Sequence, residues 1–79
     1  MDLKNNKKVE LLPYQERMVE EYRELNDRIV KLNAFLENKE KLKLLGSEQH
    51  SLMVLQVEAM EHYRHILQMR MLIENISIL

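Results

Sequence analysis

Gln56, Tyr63 and Arg70 stand seven residues apart, at positions where the surrounding pattern otherwise supplies apolar side chains. That interval keeps side chains on one helix face, so an amide, a phenol and a guanidinium form a single polar row. An unpaired polar group away from water costs roughly 1–3 kcal/mol, so each member needs another subunit, ordered water or a polar ligand. Arginine offers a planar fork that suits phosphate or carboxylate; tyrosine offers an aromatic face and a hydroxyl. The row spans about 21 Å at the helical rise, too far for one small molecule held by one chain. Copies from neighbouring subunits would bring its members together. Tyr14, Arg28 and Lys31 lie off the apolar pattern of the preceding segment and can also reach a ligand at a subunit boundary. Structural roles stay open: Gln56 and Tyr63 as hydrogen bonds across an interface, Arg70 paired with Glu21 or Glu24, Tyr14 as a packing cap.

Constellations for catalysis are missing. His62 and His65 are three apart on a helix but lack the intervening Glu and the third ligand of an H-E-x-x-H site. Glu58–His62 and Glu61–His65 read better as neighbouring pairs. The single glycine rules out a glycine-rich phosphate loop, and the absence of cysteine rules out thiolate chemistry. No nucleophile–base pair is evident. The expectation is a binding protein, not an enzyme, with no metal and no cofactor.

Two long helices must position these residues. Residues 1–12 have no periodic face and read as a flexible arm; residues 13–79 read as the folded domain. Pro13 suits a first helical turn, where its missing N–H costs nothing, and Glu16 complements the helix dipole there. From Met18 the apolar spacing alternates four and three through Tyr22, Leu25, Ile29, Leu32 and Leu36, a seam for a shallowly crossing partner helix. The first helix is therefore expected over Pro13–Glu37. Asn38–Gly46 is the connection, with Leu42, Leu44 and Leu45 able to pack as a short helical turn. Gly46 is the expected left-handed stop and Ser47 the expected N-cap of a second helix reaching about Asn75.

That second helix carries apolar rows at Leu52/Ala59/Ile66/Ile73, at Met53/Met60/Leu67 and, in part, at Leu55/Met69/Ile76. An apolar arc wider than about 100° is buried on more than one side. It is expected to pack against its own first helix and against another protomer, with the apolar end Ile76–Leu79 docking onto a neighbour. The reading is all-α: an antiparallel helical hairpin with a short middle helix, assembling into a helical oligomer.

Size and charge agree. A chain of 79 residues is near the limit at which one core offsets chain entropy, which favours a homo-oligomer. Twelve Lys and Arg against thirteen Asp and Glu give a net charge of −1, unlike the basic excess of duplex nucleic-acid binders. The longest apolar run is four residues, far short of the roughly 20 that span a bilayer. The charged N-terminal segment has no apolar signal core, so a cytoplasmic location is expected.

Two stretches carry a resemblance. Leu12-Pro13-Tyr14-Gln15-Glu16-Arg17-Met18-Val19-x-Glu21 continues as Glu24-Leu25-x-x-Arg28-Ile29-x-Lys31-Leu32-x-Ala34-Phe35-Leu36. The second helix reads Leu55-Gln56-x-x-Ala59-Met60-x-x-Tyr63-x-x-Ile66-Leu67-x-x-Arg70. Over residues 12–73 this resembles small phage proteins similar to the hairpin of the phage anti-CBASS cyclic-oligonucleotide sponges. The resemblance implies a compact helical oligomer in the cytoplasm of an infected bacterial host, sequestering immune second messengers without cleaving them. It implies Tyr14 as an aromatic contact to a cyclic dinucleotide, with Lys31, or alternatively Arg28, as the basic one. It assigns Arg70 to a trinucleotide pocket, although this chain is shorter than the sponges in the connecting segment. The competing reading is a coiled-coil adaptor or inhibitor that presents its methionine-rich helix to a host protein.

Overall fold

The computed structural model describes residues 10–77. Its elements are α1 (Pro13–Glu37), α2 (Lys39–Leu42) and α3 (Ser47–Ile73). The two long helices pack antiparallel as a hairpin, as the spacing predicts. The expected arm lies outside the described residues up to residue 9, and so do Ile78 and Leu79.

α1 begins where its chemistry dictates. Pro13 takes the first helical position, and the Gln15 side chain accepts the Leu12 N–H at 2.8 Å, satisfying one of the donors a helix start leaves open. Asn38 both ends α1 and starts α2: its N–H donates to the Phe35 carbonyl, while its side chain accepts from the Lys41 N–H at 3.1 Å.

Two end assignments need correction. Gly46 is not left-handed; its φ of −71° and ψ of 159° are extended, and it is itself the N-cap of α3. Ser47 therefore sits one position inside the helix. The left-handed stop lies at the other end of α3, at Asn75, with φ 59°. Asn75 N–H donates to the Leu72 carbonyl and Ile76 N–H to the Met71 carbonyl, the paired bonds of a Schellman ending. Asparagine tolerates this conformation better than most residues. The turn folds Ile76 back onto the core of its own hairpin, where the sequence suggested a neighbour.

Met18, Leu25 and Ile29 of the α1 seam are buried, and Tyr22, Leu32 and Leu36 are half-buried. The facing residues of α3 are Met53, Val57, Met60, Arg64, Leu67 and Met71, again spaced four and three; Val57, Leu67 and Met71 are buried. Of the apolar rows on α3, only the one through Met53, Met60 and Leu67 meets α1. Leu52, Leu55, Ala59, Ile66, Met69 and Ile73 face outward and are exposed. The main core lies toward the open end, where Leu11, Tyr22, Met60 and Ile76 pack around it.

Candidate functional site

The antiparallel register lays the expected ligand residues along one side of the hairpin, in three successive clusters. At the open end Tyr14 and Arg70 come together around Glu74. The Tyr14 hydroxyl donates to Glu74 Oε1 at 2.5 Å, and Gln15 Nε2 donates to the same oxygen at 2.7 Å. These bonds hold the Glu74 carboxyl below its ordinary value, with Arg70's charge acting in the same direction. Tyr14 is raised above the ordinary phenol value, chiefly because its proton is held by that carboxylate. The cluster is exposed, yet its arginine already has an acid beside it.

The middle cluster surrounds Tyr63. A shallow groove of about 200 Å³ is lined there by Glu21, Glu24, Leu25, Arg28 and Tyr63. Two carboxylates in this groove disfavour an anion. Arg70 is exposed, and among the described residues no ion pair joins it to Glu21 or Glu24.

Near the connection the balance reverses. Arg28, Lys31 and Gln56 border a groove of about 430 Å³ whose remaining lining is Leu32, Phe35, Met53 and Met60. Lys31 Nζ lies 3.0 Å from Asp27 one turn earlier, with both side chains largely exposed. Such a pair contributes about 0.3–0.5 kcal/mol, so an incoming phosphate can displace it. Phe35, the chain's only phenylalanine, puts an aromatic ring in the groove that holds the cations. Sequence reasoning placed Arg28, Lys31 and Gln56 but passed over Phe35, because it falls between the α1 seam and the outer face. A signal was there: it lies one turn beyond Lys31 and two beyond Arg28.

The opposite side differs in kind. Arg64, within the inner seam, donates from Nη1 to Asn26 Oδ1 at 2.7 Å, and Gln68 Nε2 donates to the Tyr22 hydroxyl at 3.0 Å. These are cross-helix bonds of the hairpin itself. Among the described residues no three His, Asp or Glu side chains are grouped to hold a metal ion, and no helix is long and apolar enough to cross a membrane.

Comparison with known proteins returns one family model, Sequestin, matching residues 12–73. No curated protein and no solved structure matches the chain. The matched span runs from the start of α1 to the end of α3 and includes Tyr14, Arg28, Lys31, Gln56, Tyr63 and Arg70. The chain belongs to the Sequestin family, the phage anti-CBASS cyclic-oligonucleotide sponges.

Proposed function

We propose that this protein captures cyclic oligonucleotide immune messengers in the cytoplasm of an infected bacterial host and holds them, uncleaved, at boundaries between its copies. Family membership supports the class of ligand. The observation that carries the reading onto this chain is the groove of Arg28, Lys31, Gln56 and Phe35. A cyclic dinucleotide presents two phosphates and two flat bases. Arg28 and Lys31 supply charge for phosphate, Gln56 supplies an amide for a base edge, and Phe35 supplies a stacking face. Base–aromatic stacking contributes about 1–3 kcal/mol per base.

Tyr14 and Arg70 form a second contact region. Glu74 makes it a poorer phosphate site, but the outer edge of Arg70 and the ring of Tyr14 remain exposed. A sponge needs affinity and copy number, not turnover, so the chemistry asked of these residues is binding alone. The net charge of −1 and the carboxylates beside Tyr63 oppose a long polyanion such as duplex DNA.

Native mass spectrometry with a panel of 3′,3′-cyclic di- and trinucleotides tests the proposal. The expected result is a defined oligomer that gains nucleotide masses at a fixed ratio. Lys31→Ala or Arg28→Ala should weaken capture by about 10- to 100-fold, the loss of one charge-assisted contact, and leave the oligomer mass unchanged. An oligomer that takes up none of the panel would refute it. The adaptor reading would then stand, because α3 displays an exposed apolar face; it predicts loss of a host partner on Met69→Asp. Met60→Asp is unsuited to that purpose, since Met60 packs against the hairpin core.

A further inference from the structure

The outward residues of α3 form a second seam. Leu52, Leu55, Ala59, His62, Ile66, Met69 and Ile73 are spaced three, four, three, four, three and four, and every one of them is exposed. This stripe is the counterpart of the seam that packs on α1, about 150° away around the same helix. It runs about 32 Å, and Leu52, Leu55 and Ile73 are each more than half exposed. A contiguous apolar stripe of this length marks an interaction site, and alternating three and four spacing fits another helix.

From this we infer that α3 pairs antiparallel with α3 of a second copy, about a two-fold axis at His62–Tyr63. The stripe is complementary to itself in that register. Leu52 meets Ile73, Leu55 meets Met69, and Ala59, the one small residue, meets Ile66; His62 meets its own copy. Facing small with large is what close helix packing requires. The flanking rows agree. Glu58 of one copy falls opposite His65 of the other, while Gln56 falls opposite Arg70 and Tyr63 opposite Tyr63. A parallel pairing would set Ala59 against Ala59 and leave a void. A shift of one heptad either does the same and uncovers Met69 and Ile73, or sets Ile66 against itself and uncovers Leu52 and Leu55.

The register also completes the groove. Arg70 of the second copy arrives beside Gln56, adding a third cation to Arg28 and Lys31, and brings Tyr14 with it. This last step rests on the nucleotide reading above; the helix pairing does not.

The chain has no cysteine, so single cysteines can read the register. A disulfide needs Cα atoms within about 7 Å, which selects facing positions. Under mild oxidation His62→Cys should form a covalent pair. Ala59→Cys and Ile66→Cys should each stay single alone and should link to one another when mixed. Ala59→Cys linking to itself as readily as His62→Cys would overturn the antiparallel register; no link at any of these positions would overturn the pairing. So would a linked host protein in place of the second copy. All three sites are exposed, and circular dichroism should show unchanged helix content. Correct links in a protein that captures no cyclic nucleotide would leave the pairing standing and remove only the nucleotide reading.

Discussion

α3 carries two seams of the same spacing, and they meet different fates. The inner one contains Leu67 and Met71, almost wholly buried against α1; the outer one contains Leu52, Leu55 and Ile66, which lie open. Hydrophobic periodicity alone does not separate them, because both satisfy the same helical geometry. What separates them is the rest of the chain. α1 offers one apolar seam and covers one face of α3, which leaves the second face exposed. The hairpin holds its shape with one face, and the pairing proposed above gives the other to a second copy.

Adjacent residues on α3 give the largest test of that division. Leu67 is 0% exposed and Ile66 44% exposed. Leu67→Ala should cost the hairpin about 2–5 kcal/mol, the range for a buried large-to-small change. Ile66→Ala should cost the dissociated hairpin about 0.5 kcal/mol or less, yet shift the oligomer toward smaller species. Urea unfolding at low protein concentration reads the first effect, and light scattering reads the second. Equal losses of hairpin stability in the two variants would break the comparison.

Arg64 sharpens it at an intermediate level. It sits in the inner seam, where the other residues are apolar, and is half-buried with its donor on Asn26. Arg64→Ala should cost about 1–3 kcal/mol, because Asn26 loses its partner in a half-dry site and the arginine stem stops covering apolar surface. Replacing both, with Arg64→Met and Asn26→Leu, should recover most of that loss, since a matched apolar pair replaces a polar one. A double-mutant cycle by urea unfolding measures it. Simple additivity of the two single changes would show that the bond is not coupled.

Arg64 also shows how far the sequence reaches. The α1 boundaries, the α1 seam and the short middle helix are all legible, because one clear periodicity and the capping residues act over a few residues. The inner seam of α3 is harder to read. Grouping apolar residues into strict seven-residue rows separates Met53, Met60 and Leu67 from Val57 and Met71, and the charge of Arg64 hides the continuity. Gly46 misleads for another reason: glycine permits a left-handed turn without requiring one, and here extended backbone at an N-cap suffices. At Asn75 the left-handed turn is imposed by Ile76 folding back onto the core, a tertiary contact invisible to local spacing. For the site, the sequence offers Tyr14, Arg28 and Lys31 as separate candidates and Gln56, Tyr63 and Arg70 as one row. Their division into a cluster with Glu74 and a groove with Phe35 depends on the antiparallel register, which places Tyr14 beside Glu74, 60 residues on, and Arg28 and Lys31 in one groove with Gln56.

The smallest expected effect lies at the open end, where Glu74 ties the end of α3 to the start of α1. Its carboxyl is held below the ordinary range, first by the Tyr14 hydroxyl and then by Gln15. A carboxyl depressed in the folded state stabilises it at pH values above its unfolded value, and that contribution disappears as pH falls through the folded one. Tyr14 has the opposite sense: its raised value means the contact is intact below the ordinary phenol range and is lost as the phenol ionises above it. The tie should therefore act across the neutral range and fail at both extremes. Glu74→Gln keeps an acceptor but removes the charge, so it should flatten the acid side of the stability–pH profile. Tyr14 is exposed and Glu74 no more than half-buried, which keeps the change small, and the outer seam is not involved, so the proposed oligomer should persist through it. The comparison needs urea midpoints of the parent and the variant from neutral pH down through the carboxylate range. Parallel profiles would mean that the Glu74 charge contributes nothing to folding, and that the inner seam and the cross-helix bonds of Arg64 and Gln68 hold the two helices together.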